Sequence, residues 1–159
     1  MDRQLLLAPL PSRQTKSDRL LALKQIKEDF RDIQDVNNTM MANAWSREEL
    51  DYFYISDKVS QIRAKAVRLK TNLSLPQARD VEKKQLDSVL TGVKEFRAAL
   101  LLLDQSIMSF VTNPLFQKTN VVEVGPATRA SHDLEVVIKL SGKLQKAAAT
   151  FNRKPKEIH

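Results

Sequence analysis

Apolar residues recur at alternating spacings of three and four between residues 86 and 110. The set is Leu86, Val89, Val93, Phe96, Leu100, Leu103, Ile107 and Phe110. An α-helix turns once every 3.6 residues, so side chains spaced in this way share one face of a helix and are buried against other helices. The pattern therefore predicts a long helix with one apolar face directed at a core.

The same spacing occurs three more times along the chain. The other sets are Leu23, Ile26, Phe30, Ile33, Asn37, Met40 and Ala44; then Tyr52, Ile55, Val59, Ile62, Ala66, Leu69 and Leu73; and finally Ala127, Ala130, Leu134, Val137, Ser141, Leu144, Ala148 and Phe151. A sustained repeat near 3.5 residues favours helices that cross at about 20°, the geometry of a left-handed bundle. We therefore predict an all-α fold with four helices.

Local signals place the ends of these helices. Ser46 and Glu49 have the spacing of a capping box, which predicts a helix start there. Pro76 suits the first turn of the next helix, Pro114 ends it, and Pro126 opens the last helix. We predict helices at about 17–44, 47–73, 77–112 and 126–152, after an extended or flexible lead-in over residues 1–15.

The connections predict how the helices are arranged. The links near 45–46 and 74–76 are short, so they favour antiparallel neighbours. The third link, at about 113–125, is long enough to turn back locally or to cross the bundle, and its apolar residues indicate an ordered, packed loop. The expected fold is an antiparallel up-down-up-down four-helix bundle, with that long ordered loop between helices 3 and 4 and a single domain over residues 1–159.

Composition adds limits on compartment. The chain is 42% hydrophobic and 28% charged, has no cysteine and carries a formal net charge of +7. Its longest unbroken apolar run, Ala98–Leu103, is far shorter than the ~20 residues of a membrane span, so we expect no transmembrane segment. The apolar start, Leu5–Leu10, is shorter than the core of a signal peptide. Both a cytoplasmic and an exported protein, its signal peptide already trimmed, fit these observations.

Charge is distributed unevenly along the chain. Residues 58–79 and 136–156 contain several bases and no acid, whereas residues 28–57 hold eight acids. In the predicted topology the acids gather at the tip around Trp45 and the bases at the opposite end. The possible anion-binding residues are Lys65, Arg68, Lys70, Lys139, Lys143, Lys146, Arg153 and Lys154. Solubility and favourable interaction with the helix dipoles also explain these charges, and they are the explanation that the sequence favours.

Residues with recognisable chemistry are few. A di-iron bundle needs inward glutamates and Glu-x-x-His pairs, and neither His132 nor His159 follows a glutamate by three positions. His132 and Asp133 are consecutive on a helix, so they diverge by about 100° and cannot orient each other as a hydrolytic triad requires. The sequence therefore predicts no catalytic, metal-binding or cofactor-binding residue. Asn37 and Ser141, the polar members of the apolar faces, are expected to differ in height and not to pair.

These observations favour a non-enzymatic helical bundle that works through protein–protein contact, as a structural, sensory or scaffolding module. Its partner is another protein or a second copy of the chain. The alternative is an anion-binding module, in which a basic end of the bundle contacts nucleic acid or an anionic membrane surface. No cofactor is expected for either function.

Overall fold

The computed structural model describes residues 15–76, 92–116 and 124–153, and in these ranges the chain is helical with no strand. Its helices are α1 (Lys16–Trp45), α2 (Tyr52–Leu73), α3 (Val93–Val111) and α4 (Val124–Arg153). A short 3-10 turn, Pro114–Phe116, follows α3. The predicted all-α fold class is confirmed, and the first and last helices begin and end within two residues of the predicted positions.

The four helices form a ring in which α1 packs on α2, α2 on α4, α4 on α3, and α3 on α1. The two pairs α2–α4 and α1–α2 are the most closely packed, and α1–α3 is the loosest. Antiparallel packing of α1 and α2 follows from two contacts, Arg68 with Asp29 and Asn72 with Gln25. Every helix is antiparallel to both of its neighbours in the ring, so the fold is an antiparallel four-helix bundle.

Side-chain contacts also give the direction of α3 and α4. Arg97, at the start of α3, donates to the Ala44 carbonyl at the end of α1. At the other end of α3, the Phe110 ring lies 5.8 Å from the Phe30 ring. The last turn of α4 places Phe151 5.1 Å from Tyr52, at the start of α2. Consequently α3 runs in the same direction as α2, and α4 runs in the same direction as α1.

The order of directions along the chain is therefore up-down-down-up, which differs from the predicted up-down-up-down order. The third helix was expected to run without interruption from 77 to 112, but α3 begins at Val93 and its N-cap is Gly92, which has an extended backbone (φ −141°, ψ 173°). Glycine is a poor helix former and is accepted at N-caps, so the helix starts after it. Residues 77–91 lie outside the described residues. They connect Pro76, at one end of the bundle, to Gly92, at the other.

We call these two ends the Pro76 end and the Trp45 end. Aromatic clusters occupy both. Phe30, Phe110 and Phe116 are in contact near the Pro76 end, with ring centroids 5.0–5.8 Å apart. Tyr52, Phe96 and Phe151 form the equivalent cluster near the Trp45 end, at 5.1–5.8 Å. Between the clusters lies an aliphatic core that includes Ile33, Ile62, Leu100, Leu103, Leu134 and Leu144, each no more than 1% exposed.

The connection after α3 turns back locally, which is one of the two expected courses. The Asn113 side chain donates to the Pro126 carbonyl at 2.9 Å and accepts from the Leu115 backbone N–H at 2.8 Å. Leu115 and Phe116 pack against the core. Of the predicted ordered loop, residues 117–123 lie outside the described residues.

The start of α2 is later than predicted. Its first residue is Tyr52, and its N-cap is Asp51, whose side chain accepts from the Tyr54 backbone N–H at 3.1 Å. Ser46, predicted to cap this helix, instead ends α1 and donates its hydroxyl to the Asn43 carbonyl. Asp51 accepts its bond in the position that an N-cap requires, and residues 47–50 form a short linker whose Leu50 is buried.

The two polar residues on the apolar faces are both fully buried and do not pair with each other. Ser141 donates to the Val137 carbonyl one turn earlier in its own helix, at 2.6 Å. Asn37 reaches across the α1–α3 contact and donates to the Asp104 carboxylate at 2.8 Å. Its own amide oxygen has no hydrogen-bond partner in the described structure.

Candidate functional site

The predicted anion-binding residues on α2 lie on two different sides of that helix. Arg68 faces α1, where Asp29 accepts two hydrogen bonds from its guanidinium at 2.9 and 2.6 Å. Lys70 faces α4, where it donates to Glu135 at 3.0 Å. Lys65 is half-buried. These three cations therefore do not form one surface.

The predicted basic residues on α4 do not lie at the Pro76 end either. Glu135 is level with Lys70, and from there α4 runs towards the Trp45 end through Lys139, Lys143 and Lys146. Arg153 is the last residue of α4, at the Trp45 end, and Lys154 lies outside the described residues. The prediction of a single basic end is therefore wrong, because it depended on the opposite direction for α4.

A smaller set of cations does lie together, along the outer groove between α2 and α4. Arg63 of α2 extends across this groove to α4, so closely that a Cβ added to Gly142 would sit 3.4 Å from the Arg63 Nε atom. On α4, Lys139 lies one turn before Gly142 and Lys146 one turn after it. We call Arg63, Lys70, Lys139 and Lys146 the cationic row.

One acid accompanies the cationic row. Glu135 bonds Lys70 at 3.0 Å and lies 3.6 Å from the Lys139 ammonium. Within the described part of the chain, the side chains of Arg63 and Lys146 make no hydrogen bond or ion pair, and both residues are exposed. The row consequently carries uncompensated positive charge at two of its members.

Arg63 was not among the predicted site residues. Its relevance depends on two facts that the sequence pattern does not contain, the contact of α2 with α4 and the level at which the two helices meet. A glycine in the middle of α4 was the available signal, because glycine inside a helix often marks the close approach of another group.

A second distinctive surface is the outer face of α3. From Ala98 onwards its exposed residues are Ala98, Leu101, Gln105, Met108 and Thr112, which we call the uncharged face of α3. The exposed Lys94 lies on the same side of α3, one turn before Ala98, and forms the boundary of this face at the start of the helix. Two other charged residues near the face are engaged elsewhere, since Arg97 binds backbone carbonyls at the end of α1 and in the α1–α2 linker, and Asp104 accepts from Asn37. Leu101 and Met108 remain 44% and 40% exposed.

The apolar character of α3 also bears on the membrane question. Among the described residues, Val93–Phe116 is the one segment long and apolar enough to cross a membrane by length and composition. Phe96, Leu100, Leu103 and Phe110 are buried in the bundle, and a core helix has this composition for that reason.

The His132–Asp133 cluster has no catalytic geometry. Asp133 accepts a hydrogen bond from the Ser109 hydroxyl at 2.6 Å. Burial raises the pKa of the Asp133 carboxyl, and this hydrogen bond opposes the increase. A serine bonded directly to a carboxylate has no imidazole positioned to accept its proton, as nucleophilic catalysis by serine requires.

In the described ranges, no three His, Asp or Glu side chains lie close enough together to bind a metal ion. No protein-family model, curated protein or solved structure matches this chain.

Proposed function

We propose that this protein is a non-enzymatic helical bundle that acts by binding another protein, as a structural, sensory or scaffolding module. The uncharged face of α3 is the proposed binding surface. This proposal is carried by one observation, the exposure of Leu101 and Met108 on a face that has no charged residue from Ala98 to Thr112, in a chain that is 28% charged. Exposed apolar side chains grouped on one helix are typical of protein contacts, and methionine adapts its shape to a partner.

The first partner to consider is a second copy of the chain. Each copy carries a net charge of +7, so two copies repel one another where their basic surfaces meet. The uncharged face of α3 lacks this repulsion, and it can be complementary to itself across a twofold axis. From Ala98 to Thr112 it is about 21 Å long at 1.5 Å per residue, which supports an interface at the small, transient end of protein contacts.

Sedimentation equilibrium of the purified protein tests this proposal. The wild-type mass is expected to rise towards that of a dimer as the concentration enters the high-micromolar range. Leu101→Glu combined with Met108→Glu should keep the protein monomeric, because carboxylates would have to be desolvated at the contact.

The matched control is Ala64→Glu with Thr71→Glu, a pair of exposed α2 positions with the same spacing and the same change in charge. It should leave the association unchanged. A wild-type protein that stays monomeric throughout the concentration range, or a control that dissociates as much as the α3 variant, would contradict the proposal.

A further inference from the structure

A second binding function, independent of the contact proposed for α3, lies across the bundle on the groove between α2 and α4. We infer that the cationic row binds the phosphate backbone of a single nucleic-acid strand, without reading its sequence. The inference combines the placement of the four cations, the lack of acidic partners for two of them, and the narrowness of the surface that they form.

The spacing of the cations along the bundle axis is similar to the spacing of phosphates along a nucleic-acid strand. Lys139 and Lys146 are separated by about 10 Å at 1.5 Å per residue, and Arg63 crosses to α4 between them, over Gly142. Positive charges therefore recur roughly every 5 Å, on the same scale as the ~3.4 Å rise per phosphate along one strand. Lys70 extends the row towards the Pro76 end.

These charges are available to a ligand. In the described structure the Arg63 guanidinium and the Lys146 ammonium have no ion pair or hydrogen bond, so these two groups can bind an anion without breaking an internal bond. Lys70 and Lys139 share the single carboxylate of Glu135. Phosphate oxygens can replace the water around all four cations, and the condensed counterions they release favour binding.

The shape of this surface favours binding of a nucleic-acid strand over binding of a membrane. Ala64 and Thr71 on α2 and Ala149 and Thr150 on α4, which are exposed residues next to the row, are uncharged. The charged neighbour of the row on α4 is Lys143, which is half-buried. A bilayer is a plane of headgroups and is bound best by bases spread over a broad face. A narrow row of cations, set along a groove between two helices, matches a linear polyanion instead.

The row has contacts for phosphates but none for bases. Neither α2 from Ser60 to Lys70 nor α4 from Glu135 to Lys146 contains an aromatic residue. Stacking on aromatic side chains is the usual way to bind the bases of single strands. The expected binding is therefore indifferent to sequence and strongly dependent on salt.

Fluorescence anisotropy with a labelled oligothymidylate of about 20 nucleotides tests the inference on the full chain. Three to four phosphate contacts with a single strand predict an affinity that falls by about 20- to 50-fold between 50 and 200 mM salt. Arg63→Glu with Lys146→Glu should lower the affinity at least tenfold and make the salt dependence shallower. The matched control is Lys24→Glu with Lys27→Glu on α1, which has the same change in net charge and should lose much less.

A variant that keeps every charge separates the row from net charge. The Cβ of Gly142→Leu would already lie 3.4 Å from the Arg63 Nε atom, so the outer carbons of the leucine compete with the Arg63 guanidinium for the space where it crosses to α4. Leucine is a good helix former, so α4 is expected to remain folded. We expect the affinity to fall several-fold with net charge unchanged.

Three results would overturn the inference: no binding at 50 mM salt, equal losses in the row variant and the α1 control, or a Gly142→Leu protein that binds as wild type. A fourth is preferential binding to vesicles of phosphatidylserine and phosphatidylcholine that the row variant abolishes, which would assign the row to a membrane instead. None of these results depends on self-association through α3.

Discussion

The ion pair of Asp29 with Arg68 joins a buried side chain to an exposed one. The Asp29 side chain is 2% exposed, whereas that of Arg68 is 47% exposed. Two hydrogen bonds from the guanidinium compensate the buried carboxylate, and the same bonds raise the pKa of Arg68. A charge taken out of water depends on its partner far more than a charge that remains in water.

The two ends of this pair should therefore respond differently to truncation. Arg68→Ala leaves the Asp29 carboxylate buried without a partner and should lower the free energy of unfolding by about 1–3 kcal/mol. Asp29→Ala returns Arg68 to water and adds a good helix former, so its cost should be smaller. Urea unfolding at pH 7 measures both. Equal losses, or a larger loss for Asp29→Ala, would mean that the pair is not asymmetric.

Burial of individual residues could be predicted from spacing in the middle of helices but not at their ends. Phe96, Leu100 and Leu103 are buried as predicted, whereas Leu23 and Val93 are 54% and 51% exposed. Phe110, close to the end of α3, contacts Phe30, so the part of α1 before Phe30 extends past α3. Spacing predicts which face of a helix is apolar, but the length of the neighbours decides where that face is covered.

At the scale of elements, the helix ends show why local sequence signals are ambiguous. Ser46 and Asp51 both precede plausible helical stretches, and only Asp51 accepts a hydrogen bond from the first turn of α2. The linker between Ser46 and Asp51 is held in place by a residue of another helix. Arg97 of α3 donates to the Ala44, Arg47 and Glu48 carbonyls at 3.0–3.2 Å and lies over the Trp45 ring. A contact with a distant part of the chain therefore decides between two local signals.

The position of this cap can be tested directly. Asp51→Ala removes the acceptor for the Tyr54 N–H and should lower the free energy of unfolding by about 1 kcal/mol. Ser46→Ala removes an exposed hydroxyl at the end of α1 and should change it by less than about 0.5 kcal/mol. Thermal or urea unfolding followed by circular dichroism makes the comparison. A larger effect of Ser46→Ala would restore the capping box at 46–49.

Local sequence signals also fail to locate the start of the third helix. Its apolar spacing continues unbroken through Gly92, so the pattern alone predicts one helix over residues 77–112. The backbone is nevertheless extended at Gly92, and α3 begins at the following residue. Apolar periodicity does not detect an N-cap that falls between two members of the same series.

At the scale of the whole molecule, the direction of two helices determines where the charges lie. The helical class follows from the four apolar faces, because each face must be buried against a neighbour, and the antiparallel packing of α1 and α2 follows from the short connection between them. The direction of α3 and α4 depends on the connection of 15 residues between Pro76 and Gly92, and its length alone does not say whether it turns back or crosses the bundle. Reversing α4 moves Lys146 away from the Pro76 end and places it beside Arg63, so the predicted basic end becomes a row along the groove.

Distances between spin labels on exposed residues test this arrangement most directly. The chain has no cysteine, so a label can be attached at each chosen site through a single introduced cysteine. Ser46, Lys94 and Thr112 are exposed, and Lys94 and Thr112 are separated by about 27 Å along α3. Double electron–electron resonance on the pairs Ser46–Lys94 and Ser46–Thr112 should give a short distance for the first and a much longer one for the second. The reverse order would show that α3 runs in the opposite direction and would contradict both the helix order and the cationic row.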